Sequence, residues 1–123
     1  YVLGGPVLTL KQIKAKTEAS NYRGYLENEI RAVDKQPEPR RSELLRHYRE
    51  EFRSELAENV SRYRTYVRDV RRYRAEHQNG SEPFECEDVH TSMSLAFAHL
   101  TNDFAHLAFL DELLSKQSDL FDL

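Results

Sequence analysis

Four polar side chains interrupt an otherwise apolar stretch near the C-terminal end of the chain: His99, Asn102, Asp103 and His106. Their spacing of i, i+3, i+4 and i+7 puts them on one face of a helix. Two imidazoles and a carboxylate are competent metal ligands, but zinc asks for a fourth ligand or a water. Spacing alone cannot bring Cys86 or His90 beside them. The ridge therefore reads as a hydrogen-bonded device that fixes register inside a greasy interface, and no metal or other cofactor is assigned. Glu87 and His90 make one E-x-x-H pair, without the second copy that a carboxylate-bridged di-iron bundle requires.

A second constellation is the string RYRTYVRDVRRYR, Arg62 to Arg74, with six arginines and three tyrosines against one acid, Asp69. Arginine with interleaved tyrosine can contact phosphates and stack on bases. Wound at 100° per residue, however, the string divides. Tyr63, Val67 and Val70 fall in an apolar seam with Tyr66 and Tyr73 at its margin, and Arg64, Arg68 and Arg71 form one cationic edge. That edge continues from Arg46, Arg49 and Arg53, while Glu51, Glu55, Glu58, Asp69 and Glu76 occupy the opposite flank. An apolar seam with a basic and an acidic flank is the layout of a bundle or coiled-coil helix. With the rings committed to packing, the arginine edge is assigned to an anionic partner surface. Binding of nucleic acid or another anionic ligand along it is the alternative function.

Chemistry of other kinds has little to stand on. There is no glycine-rich phosphate loop and no G-x-S-x-G elbow, and the lone cysteine, Cys86, sits between Glu85 and Glu87, where a thiolate is disfavoured. No catalytic residue is assigned and an enzyme is not expected. LDELL, Leu110 to Leu114, fits an L-x-x-L-L docking pattern, and the terminal DLFDL resembles acidic, apolar peptide motifs. Leucine-rich helices produce such strings freely, so core packing and an end cap are the first readings.

Three helical segments must position these residues, at about 9–34, 42–78 and 88–116. The first changes apolar phase midway: Leu10 and Ile13 lie on one side, Tyr22, Leu26, Ile30 and Val33 on another, and Asn21 and Gly24 between them are poor helix formers. A kink is expected near residues 20–24. DKQPEPRR is a loop, because two prolines two residues apart cannot sit inside a helix. Ser42 is placed as the cap of the second helix, whose seam of Leu45, Tyr48, Phe52, Leu56, Val60 and Tyr63 then runs unbroken to QNG. Some 36 residues make a rod of roughly 54 Å. Short loops between long helices imply an antiparallel three-helix bundle.

The third helix is too apolar for a bundle of three. One stripe holds Met93, Phe97, Leu100, Phe104, Leu107 and Leu114, a second holds Leu95, Phe109, Leu110 and Leu113, and Ala98, Thr101, Ala105 and Ala108 make a face of small residues. A helix apolar nearly all round is covered on several sides. An additional partner surface is therefore expected on Leu95, Leu100, Phe104, Leu107, Phe109 and Leu113, with His99, Asp103 and His106 setting register. The occupant would be another helical protein or a second copy of the chain.

Composition agrees with this reading. At 123 residues the chain fits one domain, 1–123, and 32% charged against 39% apolar residues is the balance of a folded helical protein. Residues 1–80 hold seventeen basic and twelve acidic groups, and residues 81–123 hold one and nine. Two complementary halves of one bundle explain that asymmetry more simply than separate partners, and a net charge of −3 excludes a strongly basic nucleic-acid domain. One cysteine offers no internal disulfide and no apolar run is long enough to span a bilayer, so an intracellular setting, cytoplasmic or nuclear, is expected. The start at Tyr1 suggests a fragment or processed product. The function expected is a non-enzymatic scaffold or assembly module.

Overall fold

A computed structural model describes residues 7–76 and 83–121, with side chains placed for 7–76 and 90–116. Its regular structure is entirely helical: α1 Leu10–Ala19, α2 Glu27–Asp34, α3 Arg40–Glu76 and α4 Pro83–Phe121. The expected first helix is thus two helices rather than one kinked helix. Ser20 takes an extended conformation with ψ 163° and Gly24 a left-handed one with φ 94°, so the helical ladder stops and restarts.

Each boundary has a local cause. Thr9 and Gln12 close a reciprocal capping box, with Gln12 N–H donating to Thr9 Oγ1 at 3.1 Å and Thr9 N–H to Gln12 Oε1 at 2.8 Å. Helix α2 has no side-chain cap, and Glu27 and Glu29 in its first turn complement the helix dipole. Ser42 does not cap α3, which begins two residues earlier. It is buried, and its hydroxyl donates to Glu38. Helix α4 starts well before residue 88 because Pro83, lacking an N–H, suits a first helical turn, and it continues past Lys116 to Phe121. The side chains of Cys86, Glu87 and the DLFDL string, together with QNG, lie outside the described side chains.

The long helices α3 and α4 share the most extensive contact in the fold. Two core clusters lie along it. One joins Ile13 of α1 to Tyr63 and Val70 of α3 and to Met93, Ala96 and Leu100 of α4; the other joins Ile30 of α2 to Leu45 and Phe52 and to Phe109, Leu110 and Leu113. Rising numbers on α3 thus meet falling numbers on α4. Helix α1 serves the cluster nearer the α3 C-terminal end and α2 the other. Residues 20–26 link them as a strap across α4, with the Tyr22 hydroxyl and the Tyr25 N–H donating to Asn102 Oδ1 and the Leu26 N–H to His106.

Arg41 locks the far end, with its side chain only 13% exposed. Its Nε donates to Asp34 Oδ1 at 2.8 Å and its Nη2 to the Leu113 carbonyl at 3.0 Å, so one guanidinium ties α2, α3 and α4. Arg41→Met keeps the apolar stem and removes these bonds. The substitution is expected to lower stability by about 1–2 kcal/mol in urea unfolding, and an unchanged midpoint would refute the lock.

Candidate functional site

The polar ridge of α4 is used inside the chain. Asp103 and His106 are 2% and 0% exposed, Asn102 is half-buried, and His99 remains exposed. Asn59 of α3, itself buried, donates through Nδ2 to Asp103 Oδ2 at 2.6 Å, and Glu55 hydrogen-bonds the same carboxyl. His106 Nε2 accepts the Leu26 N–H at 3.1 Å, which leaves its proton on Nδ1. That Nδ1 is buried without a hydrogen-bond partner among the described residues. The ring stacks on Phe52 at 4.3 Å and meets Tyr25 edge-on at 5.1 Å.

Burial governs the electrostatics here. It pushes the Asp103 carboxyl up from 3.8 to about 7, helped by the Glu55 hydrogen bond and charge and opposed by the Asn59 bond. It pulls His106 down, against the charge of Glu55. His90 is lowered by burial and then by Arg74, whose Nη2 lies 3.4 Å from His90 Nε2. The Tyr48 phenol is pushed up to about 12, chiefly because it donates to Glu29 at 2.7 Å. No group of three or more His, Cys, Asp or Glu side chains among the described residues is arranged to hold a metal ion. The arrangement pins the strap to α4 through an imidazole and α3 to α4 through a protonatable acid.

Of the apolar residues assigned to a partner interface, Leu100, Phe109 and Leu113 are buried in the chain's own clusters. Phe104 and Leu107 are half-buried, and Leu95 is 59% exposed. Much of the cover that α4 demands is therefore supplied by α1, the strap and α2. What remains open is the Leu95 and His99 face and a trough of about 230 Å³ beside the C-terminal half of α1, where Leu56, Phe104, Leu107 and Ala108 lie among Lys14, Glu18, Arg49, Arg53 and Asp111.

The arginine edge is divided by its surroundings. Arg49 reaches Asp111 of α4 at 2.9 Å and Arg53 lies 3.7 Å from Glu50 on its own helix. Arg68 only approaches its neighbour Asp69 at 4.0 Å, and Arg64 and Arg71 form no ion pair among the described residues. Those three instead border a trough of about 330 Å³ floored by Val7, Leu8, Leu10, Tyr63 and Val67. Tyr63 is buried and its hydroxyl donates to the Leu8 carbonyl at 2.6 Å, so its ring is not a stacking platform.

Sequence reading missed Asn59 and Gly24 as site residues. Asn59 had a signal, being a polar residue within the apolar seam between Leu56 and Tyr63. Gly24 was visible only as a helix breaker. Its contact with His106, 82 positions away, has no local signature. No helix among the described residues is long and apolar enough to cross a membrane. No family model matches the chain, and no curated protein or solved structure matches it.

Proposed function

We propose that this chain is a non-enzymatic interaction module, an antiparallel helical bundle that takes a helix of a partner protein or of a second copy along the uncovered part of the α3–α4 seam. The observation that carries this reading is the mismatch in helix length. Helix α1 has 10 residues against 37 in α3, so it covers about 15 Å of a seam near 55 Å long. The chain then leaves over α4, and beside the C-terminal half of α1 the seam stays open as the trough of Leu56, Phe104, Leu107 and Ala108, bordered by Lys14 and Glu18. A helix lying beside the C-terminal half of α1 would bury those side chains, with the charged groups around the trough, Lys14, Glu18, Arg53 and Asp111, setting its orientation. Leu95 and His99 offer a second, smaller contact on the same long helix.

A photo-reactive side chain at Ala108, and in a control at exposed Glu43, tests the reading in an extract of the cells that make the protein. Position 108 is expected to give a specific adduct, with another protein or with the chain itself, and position 43 none. Sedimentation velocity then separates the second copy from a different partner. A stable monomer at micromolar concentration with no adduct specific to position 108 would overturn the proposal.

A further inference from the structure

Among the described side chains, the upper arginine edge on α3 faces no acid of another helix, and its nearest countercharge is Asp69 of α3 itself, 4.0 Å from Arg68, although the same flank finds one lower down. Arg49 has Asp111 of α4 opposite. Among the described side chains of α4, those that pack beside Arg64, Arg68 and Arg71 fall within residues 90–102, which contain no Asp or Glu. Helix α1 cannot compensate, since it carries Lys11, Lys14 and Lys16 against the single acid Glu18. Three guanidinium groups at i, i+4 and i+7 repel one another along about 10 Å of one edge and are left open to a ligand.

Beside them the trough is apolar and has a fixed wall. The segment before α1 lies along α3, tied by the Tyr63 hydroxyl to the Leu8 carbonyl and by the capping box at Thr9. A surface that joins an apolar trough to a linear cationic rim matches a ligand with the same order of groups: apolar side chains, then carboxylates two helical turns apart. We infer that the α1–α3 trough is a docking site for an acidic amphipathic helix of a protein partner. Its leucine-type side chains enter over Val67 and Leu10, and its carboxylates at i, i+4 and i+7 meet Arg64, Arg68 and Arg71.

Two other anionic classes fit less well. Single-stranded nucleic acid would want exposed rings, and Tyr63 is buried. An anionic bilayer would want projecting apolar side chains, whereas the apolar atoms here are recessed between the arginines and the segment before α1.

This inference rests on the interaction-module reading but uses a different face, so the two are scored apart. The probe is a fluorescent 18-residue helical peptide with leucines on one face bordered by glutamates at i, i+4 and i+7. Anisotropy titration with the full chain is expected to show binding that weakens steeply with salt. Arg64→Glu/Arg71→Glu should weaken it at least tenfold while far-UV circular dichroism and the melting temperature stay unchanged. A peptide with lysines for the glutamates should not bind. Absence of peptide binding, or equal binding by the arginine variants or the lysine peptide, overturns the inference. So does tighter binding of a single-stranded oligonucleotide or of phosphatidylserine vesicles through the same arginines. An adduct at position 108 alongside any of these results leaves the module standing and removes only this site.

Discussion

Gly24→Ala is expected to lower stability by roughly 2–5 kcal/mol, through two additive causes. The first is conformational. Gly24 sits at φ 94°, and forcing an L-residue into the left-handed region costs about 1–2 kcal/mol. The second is steric. A Cβ built there would lie 2.2 Å from His106 Cδ2 and 2.3 Å from Nε2, inside any permissible contact. The ring cannot yield, because it is fully buried, stacked on Phe52 and bound to the Leu26 N–H. Overpacking of this kind costs about 1–3 kcal/mol, and the displaced ring would also release the strap. A urea-unfolding double-mutant cycle separates the terms. In a His106→Ala background, Gly24→Ala should cost only the conformational part. Equal costs in both backgrounds would mean that the close approach of strap and ring contributes nothing.

The second large effect is a reversal of pH dependence in Asp103→Asn. In the folded chain Asp103 titrates near 7 rather than 3.8, so between those values the folded state holds a proton that the unfolded state lacks. Its contribution is complete below about pH 4 and lost as pH rises through about 7. Ionisation there puts a second negative charge beside Glu55 in a buried site. His106 acts in the other direction. Burial lowers its affinity for a proton, so below its ordinary 6.5 the unfolded state takes up a proton that the folded state refuses, and stability falls with falling pH. Below pH 6.5 the two groups therefore act in opposite directions, and from pH 6.5 to 8, where only the Asp103 loss remains, wild-type stability should decline. Asp103→Asn retains the shape and the bond from Asn59 while removing the titration. At pH 8 it should be more stable than wild type by about 1–3 kcal/mol, and its remaining loss should appear only below pH 6.5. Urea midpoints at pH 5, 6.5 and 8 decide this, and parallel curves for the two proteins would exclude a shared proton at Asp103.

Both predictions turn on contacts between residues far apart in the chain, and such contacts are where the sequence stops being legible. The seam of α3 was legible because Leu45, Phe52, Tyr63 and Val70 recur at helical spacing through 37 residues without glycine or proline. The division of the Arg62–Arg74 string into seam and edge followed from the same geometry, and Tyr63 and Val70 are indeed buried. The ridge His99, Asn102, Asp103 and His106 was legible as one helical face. Its partners were not, since Asn59, Gly24 and Leu26 reach it only through tertiary packing. The break between α1 and α2 appeared as a phase slip, but periodicity cannot distinguish a bent helix from two helices on different parts of a core.

Periodicity, breakers and charge order are local quantities, and they are what the sequence by itself determined: an all-helical chain, two long amphipathic helices, and a basic edge distinct from the apolar seam. Tertiary structure alone decided which apolar faces were already covered. Leu100, Phe109 and Leu113 are enclosed by α3 and the chain's own short helices, while Phe104 and Leu107 lie only half-covered beside the C-terminal half of α1. It also decided which arginines kept an acid opposite. Ion pairing depends on where acids of another helix fall in space, and among the described side chains of α4 none beside Arg64, Arg68 and Arg71 is acidic.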